Sequence, residues 1–432
     1  MFKIFVNAWR VTDIRKKILF IFLLLLIYRL GSAVPLPGLD LEVWYDLRHG
    51  RLVDEFDPIM TIFGMIMGGG LGSIFVMGIA PYITASIIMQ LLTVAIPQLE
   101  AIQKEGEEGR KKISQYTRRF AVGLAFLQGG ATVFSYVNNP MLNQMGLSLF
   151  NHPNMLTYIM ATVAMVSGTI FIMWLAELLT ERGIGNGASF IIFANILAGI
   201  PMGVQGLMLL LDGDNMMLGI GRVVLILIVF ALVIAFVVLV SEGERRIPVQ
   251  YSKKMAGRMF GNNSYIPIKV NIAGVMSIIF AISLLQFPMQ LSMFFPNNQV
   301  LQTMTHYLDL NHPFGVVAYV VMIFMFTFFY TSFAVNTVEM AENMKRNGGF
   351  IPGIRPGRPT SEYVQRIVDR LSWIGATCYS LIAVMPVLFQ QFTGMAAGFG
   401  GTTLLIATGV ALEFIKQLES QLLMRHYKGF LS

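Results

Sequence analysis

Few residues of this chain have the types and spacing that enzymes use for chemistry. The chain contains one cysteine, Cys378, and five histidines, with neither an HExxH sequence nor a phosphate-binding glycine loop. One cysteine cannot form a disulfide framework or a cysteine metal site. Glu177 and Glu413 lie near the ends of apolar segments, and no Asp or Glu lies at a segment's centre. Proton- and sodium-coupled carriers usually need such a central acid. We therefore expect no enzyme activity, no metal and no cofactor.

The polar side chains inside the apolar segments are mostly neutral. They are amides and a hydroxyl, and hydrogen bonds between helices explain them adequately. The residues are Gln90, Gln128, Asn195, Asn271 and Ser283.

Arg29 is a charged exception. It lies eleven residues into the first apolar segment, near the depth of the bilayer centre. Inserting an arginine there costs at least about 2.5–3.5 kcal/mol, so its side chain must face protein or water. Hydrogen bonds to backbone carbonyls at a helix interface are the preferred interpretation, and contact with a substrate is the alternative.

Composition and hydropathy indicate a membrane protein. Of the 432 residues, 55% are hydrophobic and 13% are charged, whereas soluble domains carry about 25% charged residues. A helix needs about 20 apolar residues to cross a bilayer. The first apolar segment is longer than the core of a signal peptide, so we expect a permanent helix. The predicted spans are 18–34, 74–96, 120–137, 155–176, 185–200, 223–240, 271–288, 314–335, 371–389 and 401–416.

The basic residues predict how these spans are oriented. With a cytoplasmic N-terminus, 27 of the 31 Lys and Arg residues lie inside and three lie outside, while Arg29 lies within a span. This asymmetry follows the positive-inside rule. We expect a multi-pass protein with both termini in the cytoplasm. The basic loops also explain the net charge of +7, which therefore does not indicate specific DNA binding.

Ten spans divide into two halves of five, and an odd number of spans inverts the second half. Inverted repeats are common in transporters, where the functional path lies between the halves. The predicted fold is all-α, with ten transmembrane helices in two inverted five-helix halves around a central pore. We expect an N-terminal half at 1–200, an external hinge loop at 201–222 and a C-terminal half at 223–432.

Two long basic loops, 241–270 and 336–370, are predicted on the cytoplasmic side. Helix connections usually take about 2–8 residues, and long loops often carry function. Docking of a cytoplasmic partner is one interpretation, and a solvated loop is the other. In the second loop, the glycines at 353 and 357 predict a rigid turn that displays Arg355.

A short apolar piece at 59–72 ends in several glycines and precedes the second span. It is too short to cross a bilayer, and the glycines prevent a rigid continuation. A re-entrant element that lines a cavity is one interpretation. An interfacial helix that ends in a glycine turn is the other.

Seven stretches of this sequence carry a resemblance to a known family. They are Arg29–Gly31 with Pro35–Gly38, Pro81–Gln90, Lys104–Arg118, Thr180–Gly187, Pro267–Gly274, Phe350–Gly357 and Gly400–Ile406. Together, in this order and on the predicted sides, they resemble the SecY family of protein-conducting channels along nearly the whole chain.

The resemblance implies an hourglass-shaped channel whose waist is a ring of aliphatic side chains. The implied ring residues are Ile79, Ile83, Ile192, Ile196, Ile279 and Ile406. From composition alone these isoleucines would be ordinary core residues.

The resemblance also implies a plug and a lateral gate. The plug lies within 59–72 and includes Ile62, Phe63, Met65, Ile66, Met67, Gly68, Gly69, Gly70 and Leu71; its three adjacent glycines depart from the usual plug sequence. The gate lies between the second and seventh spans, flanked by the third and eighth. Its implied polar residues are Gln90, Gln128, Asn271 and Ser283.

The implied function is passage of unfolded secretory polypeptides across the bacterial inner membrane, with lateral release of apolar segments into lipid. The implied partners are SecE, SecG, the SecA motor ATPase, the ribosome, signal peptides, unfolded preproteins and membrane lipids. The motor would hydrolyse ATP. The implied docking residues are Arg245, Arg246, Lys253, Lys254, Arg258, Arg355 and Arg358. A small-solute secondary transporter is the alternative function.

Overall fold

The structure is a computed structural model that describes residues 8–43, 72–137, 148–209, 216–251, 264–270, 272–295, 298–310, 312–393 and 401–428. Helices dominate these residues, together with one small sheet. The helices are α1 (Thr12–Gly31), α2 (Ala80–Ala95), α3 (Pro97–Lys104), α4 (Glu107–Val137), α5 (Met155–Arg182), α6 (Gly187–Leu209), α7 (Met216–Glu242), α8 (Met276–Phe294), α9 (Gln299–Leu308), α10 (Pro313–Ala334), α11 (Thr337–Arg346), α12 (Arg358–Thr393) and α13 (Gly401–Lys428). The strands are β1 (Glu244–Tyr251), β2 (Ser264–Lys269) and β3 (Gly349–Phe350).

Each of the ten predicted spans overlaps one long helix of the described chain. By length and composition alone, five of the described helices could cross a membrane: α4, α5, α7, α10 and α12. The pair α2 and α3 is a further candidate, although it is bent by 100°. The apolar parts of α6 and α8 are shorter, Gly187–Pro201 and Met276–Met289. Charged residues such as Arg29 in α1 and Lys416 in α13 lower the hydropathy of the other two long helices.

Several helix boundaries differ from the sequence prediction. Helices α4 and α12 begin more than ten residues before their apolar segments, because hydropathy detects only the lipid-embedded part of a helix. The described residues of the predicted hinge loop, 201–209 and 216–222, belong to helices, and the role of this segment as a hinge stays a prediction. Helix α6 continues through Pro201 to Leu209, and α7 begins at Met216. Proline is tolerated inside membrane helices where neighbouring groups satisfy the freed carbonyl.

The ten long helices among the described residues form two groups with the same internal packing. The first group is α1, α2, α4, α5 and α6, and the second is α7, α8, α10, α12 and α13. In the first, α2 packs on α4, α4 on α5, α5 on α6, and α1 on both α5 and α6. In the second, α8 packs on α10, α10 on α12, α12 on α13, and α7 on both α12 and α13. Corresponding helices therefore have corresponding neighbours.

Among the described residues, the two groups contact each other most extensively at two places. On one side α8 packs against α2 and α4, and on the other side α6 packs against α13. The largest apolar cluster lies where the groups meet, because it takes buried residues from α1, α2, α5 and α6 and from α7, α8, α10, α12 and α13. The core is therefore shared between the groups.

The sheet has the strand order β2-β1-β3, with antiparallel pairs. Pro248 pairs with Tyr265, and Pro267 pairs with Arg246. Val270 donates its N–H to the Gly243 carbonyl at 2.9 Å, so these two residues form a hydrogen-bonded pair. Such pairs alternate with non-hydrogen-bonded pairs along an antiparallel ladder, and both proline pairs are of the second kind. The ladder therefore loses no bond to either proline. On the outer edge of β2, Pro267 also removes a donor that another strand could use.

The two predicted basic loops form one folded unit, which we call the sheet unit. It comprises β1, β2, β3, α11 and the first turns of α12, and β1 from the first loop pairs with β3 from the second. Its own apolar core draws on both loops. The core residues are Ile247, Val249, Ile268, Met344, Ile351, Val364, Val368 and Leu371.

Candidate functional site

The six isoleucines implied as a ring all belong to the largest buried apolar cluster, which draws on nine of the described helices. None of them is more than 6% exposed. They come from helices of both groups, two of the first and two of the second. The residues are Ile79 and Ile83 at the start of α2, Ile192 and Ile196 in α6, Ile279 in α8, and Ile406 in α13.

Helix geometry positions these side chains in pairs. Ile79 precedes the first turn of α2, and its carbonyl accepts the Ile83 N–H at 3.1 Å. Ile192 and Ile196 are four residues apart in α6, so they lie on one face of that helix. Each of these helices therefore presents two successive isoleucines to the same cluster.

An isoleucine ring offers a solute neither charge nor hydrogen bonds. A narrow apolar constriction excludes ions because water leaves it spontaneously. Branched aliphatic side chains can also move apart around a peptide without selecting any sequence. The chemistry of this cluster suits a seal rather than a binding site.

The described gate residues lie on α2, α4 and α8, which form one of the contacts between the two groups. Gln90 of α2 donates to a serine hydroxyl one turn earlier at 3.4 Å, and its Oε1 is buried with no hydrogen-bond partner among the described residues. Gln128 is half-buried on α4. Ser283 of α8 donates to a backbone carbonyl one turn earlier at 2.8 Å. Gln90 and Ser283 thus bond within their own helices, and Asn271 lies outside the described residues.

The predicted plug residues lie outside the described part of the chain. They are Ile62, Phe63, Met65, Ile66, Met67, Gly68, Gly69, Gly70 and Leu71. Description resumes at Gly72, whose φ of +72° favours glycine. Its carbonyl accepts the Leu36 N–H at 2.9 Å, and Pro35 forms a bridge with Ser73. The role of segment 59–72 as a plug therefore stays a prediction.

Arg355 lies on a turn with an ordered backbone. Gly353 and Gly357 have φ values of +82° and +104°, which side chains other than glycine rarely adopt. The buried Thr360 hydroxyl donates to the Arg355 carbonyl at 2.9 Å, and Ile354 packs against the core of the sheet unit. The Arg355 side chain is exposed. The turn therefore holds one arginine outward from a fixed base.

The other described docking arginines differ in whether they form an ion pair with a described residue. Arg245 is exposed on β1. Arg246 pairs with Glu244 at 2.6 Å and lies 4.9 Å from the centre of the Tyr265 ring. Its hydrogen bond to Glu244 raises the pKa of the guanidinium. Arg358 pairs with Glu362 at 3.0 Å. The remaining implied residues, Lys253, Lys254 and Arg258, lie outside the described residues.

Arg29 does not lie at the middle of its helix, contrary to the prediction. Helix α1 starts six residues before the predicted span and ends at Gly31, so Arg29 is in its last turn. A cation there interacts favourably with the helix dipole. The side chain is exposed on this chain, so the described helices do not bury it, and the expected hydrogen bonds to backbone carbonyls stay a prediction.

The sequence alone did not predict the contacts of Tyr28 and Phe75. The Tyr28 hydroxyl donates to Asn195 Oδ1 at 2.6 Å, and both side chains are buried. The Tyr28 ring stacks on Phe75 with centroids 5.7 Å apart. The helix–helix bond expected of Asn195 is therefore confirmed. The tyrosine in the first apolar segment could have predicted such a bond, because a buried tyrosine hydroxyl usually finds a hydrogen-bond partner.

Comparison with known proteins defines the class. The solved structure described as "The structure of a protein conducting channel" superposes with a TM-score of 0.66 at 17% identity, covering 93% of this chain and 90% of that one. Canine Sec61 in a ribosome–channel complex gives a TM-score of 0.62 at 17% identity, with 93% and 90% coverage. The fold is that of helical protein-conducting channels.

Sequence comparison then identifies the family. The family model SecY matches residues 73–415. Protein translocase subunit SecY of Bacillus licheniformis is 41% identical over 445 residues, and that of Streptomyces galbus is 42% identical over 452 residues; both matches cover the whole of each chain. The chain belongs to the SecY family.

Membership confirms several predictions made from the sequence. The protein is a multi-pass membrane protein of the protein-translocation machinery, and the role of its family is transport rather than catalysis. The small-solute secondary transporter, held as the alternative, is not supported.

Proposed function

We propose that this chain forms the polypeptide pore of a translocase in the bacterial cytoplasmic membrane. Unfolded secretory polypeptides cross through it, and apolar segments of membrane proteins leave it sideways into lipid. The observation that carries the proposal is the burial of the six isoleucines in one apolar cluster of a SecY-family chain. Such a cluster can seal against ions and still widen around a peptide.

The architecture that we propose is ten transmembrane helices in two inverted halves around this ring. The first half ends with α6 and the second begins with α7. The matching neighbour relations within the two groups of helices support this division. Because corresponding helices pack alike, the ring then lies between two similar half-channels and receives side chains from each.

Both termini lie in the cytoplasm in this proposal. The strongest support is the placement of 27 of the 31 basic residues on one side of the predicted spans. Two tryptophans agree with it. Trp174 and Trp373 lie two residues inside the inner ends of their predicted spans and are 53% and 59% exposed, as expected of aromatic residues at a membrane interface.

The lateral gate is the seam between α8 and the pair α2 and α4. Neutral side chains lie on the helices that form this seam, among them Gln90, Gln128 and Ser283. Because Gln90 and Ser283 bond within their own helices, those bonds need not break when a guest segment enters the seam. Asn271 belongs to the same gate in our proposal, and the plug at 59–72 fills the external funnel when no polypeptide is present.

The sheet unit docks the cytoplasmic partners, which are the SecA motor ATPase and the ribosome. Among the described docking residues, Arg245 and Arg355 are exposed without an ion pair to a described residue, and Arg355 lies on a fixed turn. SecE and SecG are the small membrane partners. The motor hydrolyses ATP, and this chain supplies the path for signal peptides and preproteins.

Replacing one ring residue tests the proposed pore. Ile192→Gly should make the resting channel conduct ions, because glycine leaves a gap that water can fill. The matched control is Ile191→Gly, which removes an equally buried isoleucine from the same helix but not from the ring. The measurement is ion conductance of the complex reconstituted in planar bilayers without preprotein. Equal conductance of the two variants would remove the ring assignment.

A further inference from the structure

The hydrogen bond between Tyr28 and Asn195 joins α1 to α6 inside the apolar core. Tyr28 is 1% exposed and Asn195 is 3% exposed. The amide Nδ2 of Asn195 has no hydrogen-bond partner among the described residues. The 2.6 Å bond from Tyr28 to Oδ1 is therefore the hydrogen bond that the structure shows for this side chain.

Asn195 is close to the ring on its own helix. It lies three residues after Ile192 and directly before Ile196. At 3.6 residues per turn, it points about 80° away from the face that these two isoleucines share. A rotation of α6 by about 80° would consequently turn the amide toward the constriction and the isoleucines away from it.

The same tyrosine also supports the start of α2. Its ring stacks on Phe75 with an interplanar angle of 4°, and Phe75 lies four residues before Ile79. Phe75 fits over Gly31 of α1, where an added Cβ would lie 2.3 Å from the phenylalanine ring. Helix α1 thus contacts α6, which carries two ring isoleucines, and the turn that leads into α2.

We infer that the Tyr28–Asn195 hydrogen bond is a positioning contact that holds α6 with Ile192 and Ile196 facing the constriction. Apolar packing has no directional preference, whereas a hydrogen bond between buried groups has one. When the bond is lost, the buried amide is left unsatisfied, which is costly. The amide then turns toward water that can enter the pore. The inference rests on the proposed ring.

The test compares two buried tyrosines in the complete channel complex. Tyr28→Phe removes the hydroxyl that bonds to Asn195. Tyr319→Phe removes a hydroxyl that is equally buried and has no hydrogen-bond partner among the described residues. We expect Tyr28→Phe to raise resting ion conductance by about tenfold, the factor for one lost buried hydrogen bond. Tyr319→Phe should leave the conductance at the parental level.

A double variant separates positioning from simple loss of packing. Tyr28→Phe combined with Asn195→Leu removes both polar partners, so the seal should return, because replacing both groups with apolar ones is nearly neutral. Parental conductance of Tyr28→Phe, or persistent leakage of the double variant, would overturn the inference. Thermal unfolding of each complex, measured in parallel, identifies any variant that is only misfolded. Leakage of Ile192→Gly without leakage of Tyr28→Phe would reject the positioning contact and leave the ring in place.

Discussion

Arg355 and Arg358 are three residues apart, yet their surroundings differ. Arg358 pairs with Glu362 at 3.0 Å in the first turns of α12. Arg355 projects from the turn between Gly353 and Gly357, and its backbone is held by Thr360. A partner with an acidic surface can therefore take the charge of Arg355 without first breaking an ion pair.

This difference predicts the outcome of charge substitutions at the two positions. Arg355→Glu should abolish motor-driven export, because it reverses the charge of the exposed group while the turn is retained. Arg358→Gln should reduce export little, since an exposed ion pair contributes about 0–1 kcal/mol. The measurement is preprotein export into reconstituted vesicles with motor and ATP. Normal export by Arg355→Glu, with similar amounts of protein in the membrane, would argue against docking at this turn.

The types of residue in the sequence predicted the chemistry that the protein can do, but they did not predict which residues contact each other. The sequence has one cysteine and no acidic residue at the centre of an apolar segment. These features alone argued against an enzyme. The ring isoleucines were identified through the family resemblance, because six isoleucines in a chain so rich in apolar residues have no distinguishing local pattern. The partnership of Tyr28 with Asn195 was not predictable, since neither spacing nor hydropathy says which helices touch.

The sheet unit is the element whose integrity the docking proposal needs. Its core draws residues from both basic loops, so each loop stabilises the other. Ile247 of β1 is 2% exposed within it, whereas Val338 on α11 is 58% exposed. The two side chains therefore provide a buried position and an exposed control in the same unit.

Ile247→Ala should destabilise the sheet unit by about 2–5 kcal/mol, the usual cost of truncating a buried isoleucine to alanine. Thermal unfolding of the complex should shift to lower temperature, and motor-driven export should fall. Resting ion conductance should not change, because the ring lies in a different cluster. Val338→Ala should leave all three measurements unchanged. A rise in conductance of Ile247→Ala would contradict the separation of seal and docking unit.

At the scale of elements, hydropathy predicted the existence of the helices better than their ends. Helices α4 and α12 continue outside the apolar segments with charged residues that a hydropathy window rejects. The union of the two basic loops in one sheet unit was also missed. Its strands are short, and the pairing of β1 with β3 joins residues about a hundred positions apart.

At the scale of the molecule, the ten predicted spans suggest a division into two groups of five helices. The number of spans does not predict which helices pack together. The two groups repeat the same neighbour relations without a convincing repeat in sequence, because many apolar sequences satisfy the same helix contacts. What the count of spans could not provide is where the groups meet. In the part of the chain that the structure describes, the most extensive contacts between the groups are α8 against α2 and α4, and α6 against α13.

Crosslinking of a stalled secretory polypeptide tests most directly whether chains pass between the two groups. Ile279→Cys places a thiol in the proposed ring, and Val321→Cys places one on a 58% exposed position of α10. Both variants carry Cys378→Ser, because Cys378 is the only native cysteine. We predict that position 279 crosslinks to the polypeptide only with motor and ATP, and that position 321 does not crosslink. No crosslink at 279, or equal crosslinking at both positions, would contradict a polypeptide path through the ring.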